Sequence, residues 1–472
     1  MFSLSGLTTI LAVVSASNAA VTPEKRAAVQ IFSPAAGSPT EQSSTYVGAS
    51  NGSLPVTNVT AGKVFDRFIQ IWLENTDYQV AASTPEFQAL AKQGLTLDAY
   101  YAVTHPSEPN YMASMSGDFF GLGDDNYYAV PANITTVVDL LEDGGASGGN
   151  ITWACYQESM PYDNYLGLNF SSTNYITPGA ADYVYYERKH NPCSLHNSIA
   201  NNTERAHRNR NFNDFAVDVN ASALPQWMFV TPNMVDDGHD TSPEFFSNWT
   251  QWWLTPLLAD SRFNDNRTLI LLTFDENDSY DAENRVMSIL LGGAVPTKLH
   301  GQTDSTYYTH YSTISTVQNN WQLKSLGRGD VNKTMANVFT LVANSTGYNN
   351  TAVPEAARPQ TNLTGIFDGP LNANQYIPFY APPSTNVVGA GGQGVLVIGG
   401  LNTSLTALSA PAPVNLTAQG LSVPASINPN ITVGQPPAAS STPAAGTSGA
   451  SAVAVNSVVA LVGAVVAGAL ML

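Results

Sequence analysis

The sequence predicts an α/β fold with a mostly parallel central sheet and helices on both of its faces. Three observations point there. Short apolar, β-branched runs alternate with stretches of helical spacing, the pattern of parallel strands joined by helical crossovers. The runs themselves lack apolar-polar alternation, as strands covered on both faces do. Four of them end in clusters of carboxylates, amides, hydroxyls and imidazoles, and open α/β sheets bind ligands beyond the carboxyl ends of their strands.

In chain order, residues 64–73 give the first strong strand. Residues 85–93 read as a helix, because Phe87, Leu90 and Ala91 recur on one face. A second helix is expected to start at Pro109 and run to 116, and a third covers 135–142. Strands follow at 151–156, 226–231, 268–274 and 286–291, with a helix over 245–258 between the second and third of these. Residues 314–326 read as another helix and 394–400 (GVLVIGG) as a last strand. The expected organisation is a catalytic domain over 61–370, a C-terminal extension over 371–432 and a Pro/Ala/Ser/Gly linker over 433–450.

The two ends of the chain predict a compartment. Residues 1–19 carry an apolar stretch followed by small residues, as a signal peptide does. Residues 20–60 read as a flexible leader rich in Ser, Thr, Pro and Gly. The last fifteen residues, from Val458, are apolar or small and have no basic flank. They are shorter than the roughly 20 residues a spanning helix needs. With the small residues upstream, this order matches a GPI-attachment signal, the tail 451–472 being removed and the attachment residue lying among Gly446, Ser448 and Gly449. About seventeen Asn-x-Ser/Thr sequons, among them Asn58, Asn133, Asn169, Asn220, Asn266, Asn344 and Asn402, add N-linked glycans. The two cysteines, Cys155 and Cys193, are expected to pair in an oxidising compartment. The predicted location is the extracellular face of the plasma membrane or the cell wall.

A formal charge of −18 excludes nucleic acid as a natural partner. It also repels phosphate anions at long range, a repulsion that acid relieves by protonating carboxylates.

The polar clusters supply a phosphate-ester chemistry. Glu74, Asn75, Asp275 and Glu276 offer oxygen donors of the kind that hold a hard divalent cation. Ser107 is the candidate nucleophile, and a serine hydroxyl needs a base or a metal to become one. Placed just ahead of a helix, it would meet a phosphate at the helix's positive end. Asn110 can donate to the phosphoryl oxygen. His239 and His310 are the candidate acids and phosphate ligands, and Asp236 or Asp237 can orient His239 or join the metal. The basic triplet Arg188-Lys189-His190 can touch the phosphate.

These clusters resemble the fungal secreted acid phosphatases of the phosphoesterase family, related to bacterial phospholipase C-type enzymes. The carrying segments are Glu74-Asn75, 104–111, 189–192, 231–240, 273–277 and 310–312. The resemblance covers roughly residues 60–345. It implies an alkaline-phosphatase-like core, with Glu74, Asn75, Asp275 and Glu276 on the metal and Ser107 transiently phosphorylated. His105, Lys189 and His190 would contact substrate; His239, His310, Asn110 and Asp237 would serve catalysis. Two-metal relatives place an aspartate four residues before the second-site histidine. Val235 stands four before His239 here, so one metal is expected. The reaction implied is phosphate monoester hydrolysis through a metal-activated serine. The rivals are a phosphodiesterase or phospholipase C on the same core, and a non-catalytic cell-wall glycoprotein.

Overall fold

A computed structural model describes residues 32–34, 37–358, 367–379, 386–399 and 412–424. Its centre is one eight-stranded sheet: β1 (Arg67–Leu73), β2 (Leu95–Leu97), β3 (Trp153–Gln157), β4 (Asn209–Asn211), β5 (Trp227–Thr231), β6 (Thr268–Phe274), β7 (Ser288–Leu291) and β8 (Gln302–Asp304). The spatial order is β8-β2-β7-β6-β1-β5-β3-β4. Only β7 runs against its neighbours; every other pairing is parallel. The expected mostly parallel α/β sheet is thus present. In β1 the last six residues are buried, and in β6 all seven, so both faces of the sheet are covered.

The cover comes from helices such as α1 (Ser107–Ser116), α2 (Pro243–Leu258) and α3 (Tyr311–Trp321). On α2, Trp249 and Trp253 stack on each other, and Trp253 stacks on Phe212. At the end of α3, Trp321 meets Phe65 edge-on. Aromatic contacts of this kind add about 0.5–1.5 kcal/mol each beyond the area they bury.

Several elements differ from expectation. Helix α1 begins at Ser107, two residues early, because Pro106 takes the capping position and Pro109 falls within the first turn, where no backbone N–H is required. Helix α3 runs over Tyr311–Trp321 and stops where Gln322 turns left-handed, at φ 56°. Residues 394–399 form no strand: Val395 makes one bridge to Ser325, and Val397 is 44% exposed. The described residues between 37 and 60 carry no helix or strand and are tied down by side chains of the main body. Ser43 N–H donates to Asn213, Ser50 and Asn51 donate to Asp214, and Leu54 N–H donates to Asp218, while Tyr46 is buried beside Phe212. The C-terminal extension has no core of its own among the described residues; Leu371, Ala390 and Val423 bury into the main one. No helix among the described residues is long and apolar enough to cross a membrane. The signal peptide, the linker, the attachment residues Gly446, Ser448 and Gly449, the tail and the Asn402 sequon lie outside the described residues.

Candidate active site

The register of the sheet assembles the site. Leu73 of β1 pairs with Phe274 of β6, so Glu74 and Asp275 leave the sheet side by side. Strand β5 flanks β1 on the other side, and the loop after it reaches back: Glu74 N–H donates to the Asp237 carbonyl at 2.9 Å. Three adjacent strand ends thus deliver Glu74-Asn75, Asp275-Glu276 and the segment around Asp237-His239 to one place.

Helix α1 brings the hydroxyl. Ser107 is its first residue, and Oγ lies 3.1 Å from Glu74 Oε2, 3.4 Å from Asn75 Oδ1 and 3.4 Å from Glu276 Oε1. One turn further on, Tyr111 points the same way and donates its hydroxyl to Glu74 Oε1. Asn110 braces the approach to the helix. Its Oδ1 accepts from Val103 and Thr104 N–H, and its Nδ2 donates to the Thr104 carbonyl at 2.8 Å. The same Nδ2 lies 3.4 Å from Glu276 Oε2, so the amide both braces the loop and faces the carboxylates of the site.

The histidines divide. His190 lies between two carboxylates, with Nε2 3.3 Å from Glu74 and Nδ1 3.7 Å from Asp237. Nδ1 of His239 is 2.9 Å from Asp240, and its backbone N–H donates to Asp237 Oδ1. Lys189 Nζ lies 3.4 Å from His239 Nε2 and 3.1 Å from Asp125. His105 Nδ1 is 2.6 Å from Glu276 Oε2. His310 stands apart. Its Nε2 is 2.6 Å from the Asp275 carbonyl, its Nδ1 is 3.2 Å from the Tyr100 hydroxyl, and its ring lies on Trp72. Both ring nitrogens are occupied, and burial lowers its pKa to about 3 despite the Asp275 carbonyl. In this arrangement the ring is tied to the strand end that carries Asp275. Of the two aspartates expected near His239, Asp236 turns away to Tyr175.

The disulfide expected between Cys155 and Cys193 is present, with a Cα–Cα distance of 6.4 Å. It ties β3 to the chain just after the turn that carries Lys189 and His190. Arg188, third of the basic triplet, is buried away from the others and donates to the Tyr128 and Ser194 carbonyls.

A model of the Phosphoesterase family matches residues 58–324. The chain belongs to that family. An acid phosphatase of Aspergillus fumigatus is 45% identical over 349 residues, 73% of each chain. A probable acid phosphatase of Kluyveromyces lactis is 43% identical over 72% of this chain and 76% of that one. A phosphatidylinositol-3-phosphatase of Mycobacterium tuberculosis is 26% identical over 52% of this chain and 72% of that one. Among solved structures, a putative sulfatase from Bacteroides thetaiotaomicron aligns over 60% of this chain and 75% of its own at 9% identity and a TM-score of 0.40, too loose a likeness to carry an argument.

In this phosphoesterase the site is strongly anionic. Glu74, Asp237, Asp275 and Glu276 are buried, and burial raises the pKa of each, that of Asp275 to about 6. Asp275 Oδ2 and Asp237 Oδ2 are buried with no hydrogen-bond donor. Bound protons or a cation offset the cost of burying so many carboxylates, since an unpaired buried charge costs several kcal/mol. Oxygens of Glu74, Asn75, Ser107, Asp275 and Glu276 are of the chemical type that a hard divalent ion takes. A second set, Glu74, His190 and His239, has ligand atoms within 4.8 Å of one another. The Lys189 ammonium already stands against His239 there, and Val235 is buried among Tyr185 and Phe245 rather than offering a ligand.

The phosphoesterase histidines beside Lys189 are poor bases at rest. Burial and then Lys189 lower His239, with Asp240 opposing. Burial, Lys189 and His239 lower His190 further. Burial works against the charge of Lys189 as well, but Asp125 and Glu74 outweigh it, so the ammonium persists. The sequence reading missed Tyr111, Asp125 and Asp240 as parts of this constellation. Tyr111 was signalled by its spacing of four from Ser107, and Asp240 by its place next to His239; nothing near Asp125 marked it.

Proposed function

We propose that this protein is an acid phosphatase that hydrolyses phosphate monoesters to an alcohol and inorganic phosphate through Ser107. The observation that carries the reading is the Ser107 hydroxyl at the N-terminus of α1, facing carboxylates from two adjacent strand ends. Family membership and relatives named acid phosphatases support it.

In the proposed reaction Ser107 Oγ attacks phosphorus as its proton passes to the carboxylates around it. The phosphorus–alkoxide bond breaks, and His239 protonates the leaving oxygen. Bound phosphate adds the negative charge that favours the imidazolium. Neutral His239 then takes a proton from water, which cleaves the phosphoserine as the carboxylates return a proton to the departing Ser107 Oγ. Lys189 neutralises charge on the phosphoryl oxygens, and His105 and His190 hold Glu276 and Glu74 in place. A divalent ion held by Glu74, Asn75, Ser107, Asp275 and Glu276 would lower the serine pKa and offset charge on the phosphoryl group.

We place the enzyme on the outer membrane face through a GPI anchor. The order of residues at the C-terminus supports this, as do the asparagines of the Asn58, Asn133, Asn169, Asn220, Asn266 and Asn344 sequons, each at least partly exposed. Release of activity from intact cells by a phosphatidylinositol-cleaving lipase tests it.

The test of the reaction is a pH-resolved panel of mono- and diesters on purified protein with its metal measured. Monoester turnover that is greatest in acid and needs the metal is expected. Preferential diester turnover would replace this reading with the phosphodiesterase one, and no turnover with any added metal would overturn both.

A further inference from the structure

The loop after β6 carries an aromatic ring to the edge of the site. In the stretch 278–284 Tyr280 is the one aromatic residue, its neighbours being Asp, Ser, Ala, Glu and Asn. The loop is fixed at its base: Asp77 accepts from the N–H groups of Asp278 and Ser279 and from the Ser279 hydroxyl, and Asn284 accepts from Asn277 N–H. The ring is therefore presented from an anchored loop.

Tyr280 lies against His105, with centroids 4.1 Å apart and planes at 25°. His105 touches Glu276 at 2.6 Å, and Glu276 is 3.4 Å from Ser107 Oγ. Two side chains thus separate the ring from the attacking oxygen. His105 covers one face of the phenol, yet the residue is 39% exposed. Burial raises its pKa, followed by Glu276, Asp125 and Asp275, with Lys189 opposing, so it faces the same charges as the substrate. An aromatic ring held half in solvent beside a polar site offers apolar area and a π-face with little ordering cost.

We propose that Tyr280 is the platform on which the alcohol part of the substrate stacks, so that the site favours phosphate monoesters of aromatic alcohols over those of small polyols. This rests on the reading of the Ser107 site as a phosphate-ester site. The polar groups around Ser107 read the phosphate, and Tyr280 reads what is attached to it.

Calorimetric binding of phenylphosphonate and methylphosphonate to the metal-loaded protein separates the two claims. The wild type is expected to prefer the phenyl ligand by about tenfold. Tyr280→Ala brings that ratio close to unity, and Tyr280→Phe keeps it. The ratio of kcat/KM for p-nitrophenyl phosphate over glycerol 2-phosphate moves in parallel, mainly through KM. If Tyr280 only props His105, both phosphonates weaken together in Tyr280→Ala and the ratio stays, which overturns the proposal. Methylphosphonate binding without a phenyl preference in the wild type overturns it too and spares the phosphate-site reading. Failure of both ligands to bind the wild type overturns both.

Discussion

The Lys189 ammonium lies 3.4 Å from Nε2 of His239, while Nδ1 of the same ring lies 2.9 Å from Asp240. An ammonium can only donate, so Nε2 accepts and Nδ1 carries the proton toward the carboxylate. That arrangement favours the neutral imidazole of His239, with Nε2 turned to the Lys189 ammonium. In the proposed reaction, phosphate entering that space bonds to Lys189 and frees Nε2 to take up the proton it later gives away.

Replacing Lys189 with Gln keeps most of the length and removes the charge. Turnover of p-nitrophenyl phosphate is expected to fall about a hundredfold in kcat/KM, the scale of losing one oriented electrostatic group. The His239 pKa is expected to rise, because the charge that lowers it is gone. Steady-state kinetics and a histidine NMR titration check the pair of effects.

His310→Gln is expected to act on stability and metal binding rather than on proton transfer. The ring braces the Asp275 carbonyl, and losing a buried hydrogen bond costs about 1–3 kcal/mol. A lower Tm and weaker divalent-ion affinity should accompany a pH–rate profile with unmoved limbs. A lost limb would restore His310 as an acid.

The contrast between His239 and His310 shows what was legible in the sequence. Strands β1 and β6 are long apolar runs, so their ends, and with them Glu74 and Asp275, were placed from residues alone. Strands β4 and β8 are three residues each, Asn-Arg-Asn and Gln-Thr-Asp, and no hydrophobic pattern marks them. The two histidines both follow strand-like segments, but which way a ring points is set by tertiary partners such as Trp72 and Tyr100, which lie far from His310 in sequence. The Asn110 amide likewise binds a loop whose shape no spacing rule describes, besides facing Glu276.

Removing the metal should make stability depend on pH in a defined direction. Asp275 has its pKa raised from 3.8 to about 6, so between those values the metal-free fold holds more protons than the unfolded chain. Its contribution to stability is lost as pH rises through that window. His105, lowered to about 4, and His310, lowered to about 3, run the other way, since below about 6.5 the unfolded chain takes up protons that the fold refuses. The difference between metal-loaded and chelated protein isolates the carboxylates, because a divalent ion needs them ionised. The gap in Tm should be small near pH 4 and widen as pH passes about 6. A constant gap would remove the metal from this carboxylate cluster.

The account turns on Ser107 as the attacking group. Acid quenching of the enzyme during turnover, followed by peptide mass spectrometry, reads this directly. A phosphoryl group on the peptide containing Ser107 is predicted, absent in Ser107→Ala, a variant expected to fold normally and to lose at least about a thousandfold in kcat. A phosphoryl group on another residue, or near-normal turnover by Ser107→Ala, would contradict it.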